Sequence, residues 1–192
     1  MRYFATRDEL LTRLIVEAYD SVGATAEASQ RDLAADDLPG RFAAACRAVR
    51  AWALAHPHEY SLVFGSPIPN YEAPEETVTA AARVPVVLGA IFMAAAARDQ
   101  GARRSAVGGA TPLSDAGRRA ITPAIELFAH QVPAEQVQAG LMVWMSLFGK
   151  VSFEFYGHQY GAVADSIEDR DAFFESCIAR WSAHAGISPP AG

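Results

Sequence analysis

"PAEQVQAGLMVWMSLFGKVSFEFY", residues 133–156, has helical periodicity but more apolar side chains than one helix face can hold. Val137, Leu141, Trp144, Phe148, Val151 and Phe155 recur at helical spacing and form one stripe. Met142, Met145, Phe153 and Tyr156 fall off that stripe, so the helix is apolar nearly all round and must be covered on more than one side. The final helix, over residues 167–185, repeats the problem with Phe173, Phe174, Cys177, Ile178 and Trp181. Small residues at Gly140, Ser146, Gly149 and Ser152 allow another helix to approach closely. Two such helices from each of two subunits make a four-helix interface with two-fold symmetry. On this reading Leu141, Val151, Phe155, Phe174, Cys177, Ile178 and Trp181 belong to a homodimer interface; burial within a single chain is the alternative.

The pattern elsewhere is also helical, and no segment shows the alternation and turn spacing of paired strands, so the chain reads as all-α. A first helix spans residues 6–29, opened by a capping box in which Thr6 and Glu9 satisfy free N–H groups of the first turn. Asp37 caps a second helix with Pro39 in its first turn, where a missing N–H costs nothing. Its buried stripe is Phe42, Ala45, Cys46, Val49, Trp52, Ala53 and His56, and Pro57 ends it. A short helix over 59–64 stops at Gly65, and "GSPIPNYEAP" (65–74) is a rigid loop. The helix expected over 74–99 contains Pro85, which should kink it, and kinked helices open pockets. "GARRSAVGGATP" (101–112) reads as a mobile loop, residues 114–131 as a helix interrupted near Pro123, and "GISPPAG" (186–192) as a loose tail.

A chain of 192 residues that is 51% hydrophobic suits one domain with a sizeable core. Its net charge of −6 and single lysine, Lys150, argue against a chain that by itself wraps nucleic acid by counterion release. Cys46 and Cys177 sit in apolar helical patterns and read as small buried thiols of a reducing cytoplasm rather than a disulfide. The opening residues lack the apolar core of a signal peptide, and the longest apolar run, 139–149, is too short to cross a bilayer.

Among chemistry-bearing clusters, His56, His58 and Glu59 in "HPHEY" fall short of the three or four convergent ligands of a metal site, and His56 reads better as donating to a carbonyl at the helix turn. Lys150 and Glu154, four apart on one helix, form a charge couple. There is no nucleophile elbow, and "GGATP" lacks the lysine of a phosphate-binding loop. The reading therefore includes no catalytic residue, no metal and no cofactor. What does converge is apolar: Trp52, Tyr60, Phe64, Leu88, Phe92, Trp144, Met145 and Phe148 come from different helices around the proline kink. They suggest a pocket for a small lipophilic ligand, with Tyr60 as its polar handle.

Three stretches resemble TetR-family transcriptional regulators. "RYFATRDELL" (2–11) is similar to the end of that family's recognition helix and the start of its connecting helix. "AWALAHPHEYSLVFG" (51–65) looks like the signature of the subgroup whose C-terminal domain is named for Trp, His and Gly, matched here by Trp52, His56 and Gly65. "WMSLFGKVSFEFYGH" (144–158) is similar to that subgroup's penultimate helix, with Phe148 where relatives often carry histidine. The resemblance implies a TetR-type helical domain for ligand binding and dimerisation over 6–186, preceded at 1–5 by the residual end of a recognition helix and followed by a tail at 187–192. It implies that Tyr3 and Arg7 touch DNA phosphates, and that most of an N-terminal helix-turn-helix lies outside this sequence. Met1 stands where the family usually has tyrosine, which implies a downstream start or a truncation. The expected function is that of a cytoplasmic, effector-responsive regulator, a repressor by family habit, acting as a homodimer on operator DNA when the helix-turn-helix is present. A standalone dimeric ligand-binding or interaction protein without DNA binding is the alternative; a small all-α enzyme is a more remote one.

Overall fold

A computed structural model describes residues 6–101, 112–127 and 132–187. The expectations for residues 1–5, including Tyr3, and most of the 101–112 loop lie outside these residues. Those described form nine helices and no strand: α1 (Arg7–Ala28), α2 (Leu38–Ala55), α3 (Pro57–Phe64), α4 (Glu75–Ala81), α5 (Arg83–Gly101), α6 (Asp115–Ala120), α7 (Thr122–Leu127), α8 (Ala134–Phe155) and α9 (Ile167–His184). The all-α expectation holds.

The caps follow the sequence. Thr6 Oγ1 accepts from Glu9 N at 3.1 Å, and Asp37 Oδ1 accepts from Gly40 N at 2.9 Å, each satisfying a donor that the first turn leaves open. α3 begins at Pro57, two residues earlier than expected, because proline suits a first helical position. The expected kink at Pro85 takes the form of a break at Ala82, across which α4 and the body of α5 turn by 45°. A proline ring clashes with the carbonyl four residues back, here Ala81, so the defect appears at the preceding turn and Pro85 itself sits in the first turn of α5. By the same rule the helix expected from residue 114 is broken at Ile121, two residues before Pro123.

α2 runs through the centre of the core, where Phe42, Ala45, Cys46, Val49, Trp52 and Ala53 are buried against Leu88 and Ile91 of α5, Val143, Leu147 and Val151 of α8, and Phe174 and Ile178 of α9. Burying each of the larger side chains stabilises the fold by about 1.5–3 kcal/mol. His56, expected on this stripe, is only half-buried: it caps α2 and stacks on Trp52 with ring centroids 5.3 Å apart. A second, smaller apolar cluster joins Ala96, Ile125, Val132, Ala134 and Val137, bringing α5, α7 and α8 together.

Ile187, expected in the loose tail, is instead buried in the main core. Gly186 adopts φ +70°, a conformation that favours glycine, and turns the chain back so that Ile187 N donates to Ser182 O at 2.9 Å and Gly186 N to Ala183 O at 3.2 Å. This is a Schellman ending, and its hydrophobic residue packs under the helix it closes.

Candidate ligand-binding site

α5 and α8 diverge around a cleft of about 230 Å³. Pro85, Leu88, Gly89, Phe92 and Met93 form the α5 wall; Gln136, Val137, Gly140, Leu141 and Trp144 form the α8 wall; Ala124 and Val132 close one end. Two features shape it. The break at Ala82 turns α5 away from α4, and Gly140 lets α8 approach α5 so closely that a Cβ there would lie 2.9 Å from the Phe92 ring. Among the described residues the lining contains no ionisable side chain, and Gln136 is the one side chain there with an amide.

Of the eight residues expected around a ligand, Leu88, Phe92 and Trp144 line this cleft. Tyr60, Phe64 and Phe148 lie elsewhere, in an aromatic cluster between α3 and α8, with Phe64 4.5 Å from Phe148 and 5.0 Å from Tyr60 between ring centroids. The Tyr60 hydroxyl lies 2.7 Å from Ser152 Oγ, and burial pushes its pKa up; it locks α3 to α8 and is not the handle of the cleft. Trp52 is a core residue whose indole N–H donates to Ser21 Oγ at 2.9 Å. Met145 is 60% exposed on the far side of α8.

Leu141, assigned from sequence to a subunit interface, lines the cleft instead. Gln136 escaped notice because Gln138 is its near neighbour and composition does not say which faces inward. The signal was present, since Gln136, Gly140 and Trp144 fall at i, i+4 and i+8 on one helix face.

The outer face of α8 and α9 remains apolar. Met142, Met145, Phe153 and Tyr156, which fell off the stripe read in the sequence, are exposed, and so is Phe173 of α9. Val151, Phe174 and Ile178, expected at a dimer interface, are instead buried in the chain's own core and so unavailable to a partner. The inward stripe of α8 runs through Val143, Leu147 and Val151, one step round from the one read in the sequence, while Phe155, Cys177 and Trp181 are partly buried beside the outer face.

Charges knit the same helices. Glu154, its side chain 4% exposed, accepts from Arg50 of α2 at 2.6 and 2.9 Å and from Lys150 at 2.9 Å, while Arg50 also reaches Asp171 of α9 at 2.7 Å. Burial opposes ionisation of Glu154, but the hydrogen bonds from Arg50 and Lys150 outweigh it and hold the carboxyl below its ordinary value. The Lys150–Glu154 couple read from the sequence is thus part of a larger network. His56 Nδ1 lies 3.0 Å from Trp52 O, matching the expected turn contact, and no cluster of metal-ligand type occurs among the described residues. Burial pushes the Cys46 thiol up, both cysteines are free, and Arg7 is exposed at the start of α1.

Between the cleft and the N-terminal helix stands Arg83, the first residue of α5. It donates to Glu27 at 2.8 and 2.7 Å and to the Asp20 carboxylate and carbonyl at 2.9 and 3.0 Å. Gly23 between those two acids lets the contact form, because a Cβ there would lie 2.6 Å from Arg83 Cβ.

Comparison with known proteins places these features in context. Residues 42–181 match the family described as tetracyclin repressor-like, C-terminal domain. The chain is 33% identical over 180 residues to the HTH-type transcriptional regulator Rv1816 of Mycobacterium tuberculosis, across 91% of this chain and 72% of the relative, and equally to Mb1846 of Mycobacterium bovis. Among solved structures, that of SCO4313 superposes with a TM-score of 0.69 at 27% identity, covering 94% of this chain and 75% of the other. A structure from Rhodococcus sp. RHA1 shares the fold at a TM-score of 0.58 and 19% identity, over 94% of this chain and 75% of the other.

Proposed function

The chain belongs to the TetR family of transcriptional regulators, and we propose that it senses a small lipophilic effector in the α5–α8 cleft and passes that signal to operator DNA through α1. The carrying observation is the position of Arg83: it opens the helix that walls the cleft and is bonded to two acids on α1. An effector that favours one arrangement of α5 shifts α1 through this tie, and coupling of 1–3 kcal/mol, about 5–150-fold in affinity, is ordinary for such linkage. The exposed apolar face of α8 and α9 supports a homodimer, in which two reading heads meet two half-sites whose spacing the pair of α1 helices sets. The protein is then a cytoplasmic repressor that releases its operator on binding effector. No single helix among the described residues is long and apolar enough to cross a membrane.

Footprinting the DNA upstream of its own gene, with the protein purified from its native cells, tests this reading. A protected two-fold site, with transcript levels from the adjacent genes rising on deletion of the coding sequence, is the expected result. Dimerisation and ligand binding with no footprint and no change in transcripts would overturn it in favour of a ligand-sequestering protein.

A further inference from the structure

We infer that the cleft selects an uncharged, mainly apolar ligand carrying one hydrogen-bonding group, and that Gln136 reads that group. The inference rests on the α5–α8 cleft being the effector site. Gln136 is 9% exposed, faces the cleft, and its side-chain amide has no hydrogen-bond partner among the described residues. The amide is not sealed from solvent, but an apolar ligand filling the cleft would strip its water and leave it unpaired unless the ligand itself supplies a partner.

The lining also excludes. With no ionisable side chain among the described residues of the lining, a carboxylate or ammonium would shed its water and meet no counter-charge from them. A glutamine offers both an acceptor and two donors, so it suits a hydroxyl, carbonyl or amide equally. Size follows from volume: an apolar cavity of about 150 Å³ binds benzene, so about 230 Å³ takes a ligand of roughly ten heavy atoms. Trp144, two helical turns beyond Gln136 on the same face, offers an aromatic surface to such a ligand.

The test is equilibrium binding of naphthalene, 2-naphthol and 2-naphthoate to the full chain, and to Gln136→Leu and Gln136→Met variants whose melting temperatures verify folding. The wild type should bind 2-naphthol about three- to tenfold more tightly than naphthalene, the worth of one neutral hydrogen bond, and 2-naphthoate least. In both variants the hydroxyl should lose its advantage while naphthalene binding persists. Preference for the carboxylate, or a hydroxyl advantage that survives both substitutions, would overturn the inference and leave the cleft reading standing. Binding of none of the three probes overturns both.

Discussion

Arg83 and Glu27 form a two-point ion pair, Nε and Nη2 donating at 2.8 and 2.7 Å, that joins the cleft-forming helix to the N-terminal helix. The hydrogen bonds from Arg83 come first in holding the Glu27 carboxyl below its ordinary value. The pair is partly exposed, so its worth to stability is modest, of order 1 kcal/mol at most. Its proposed value lies in where it connects. Arg83→Met should lower the melting temperature by only about 2–4 °C, while effector-driven release of DNA weakens severalfold; thermal melts and footprint titrations with effector measure the two separately.

Gly23→Ala makes a sharper test of the same contact. In an ordinary exposed helix the change would stabilise by about 1 kcal/mol. Here the new methyl lies 2.6 Å from Arg83 Cβ and must push α1 from α5, so the sign should invert to a loss of about 1–3 kcal/mol. Urea unfolding of the two proteins decides, and a stabilised alanine variant would show that the helices are free to separate.

Glu154 joins α2 and α8 through Arg50 and Lys150, so Glu154→Gln should cost about 3 kcal/mol by leaving buried cations short of a partner. A carboxyl whose folded pKa is depressed lends stability above its unfolded value, about 4.3, and that stability drains as pH falls through the lower folded value. The wild type should therefore lose more stability than the variant on acidification from pH 5 to about 3, measured by denaturant midpoints across that range.

Met145 and Phe153 are 60% and 56% exposed, so replacing them with glutamate should leave the folded subunit intact. If the outer face of α8 and α9 is the dimer surface, Met145→Glu with Phe153→Glu should shift the protein to monomer in sedimentation equilibrium, with unchanged helical circular dichroism. Phe174→Ala should do the opposite, costing about 3–5 kcal/mol of subunit stability because Phe174 is a core side chain. A double glutamate variant that still sediments as a dimer would place the interface elsewhere.

Local chemistry made much of the architecture legible. The caps at Thr6 and Asp37, the stops near Pro57 and Gly65, and the breaks ahead of Pro85 and Pro123 all depend on backbone donors and steric clashes within one or two turns, which adjacent residues specify. The surplus of apolar side chains on the penultimate helix was equally plain, and it left Met142 and Phe153 outside the core, as they are, although Met145, read as a pocket residue, is exposed with them.

Which apolar residue faces what depended on packing between helices distant in sequence. A helix that is apolar nearly all round has no preferred inward face of its own, so the rotation that buries Val151 and Phe174 and turns Leu141 to the cleft is set by α2, α5 and α9 together. The aromatic set read as one pocket divided because Tyr60 found Ser152, Phe64 found Phe148, and only Leu88, Phe92 and Trp144 stayed at the gap between α5 and α8. Sequence by itself determined which segments are helical, most of their ends and the family; tertiary structure alone placed Gln136 in an apolar wall and Arg83 against α1, because contacts across more than forty residues are fixed by three-dimensional packing and not by local spacing.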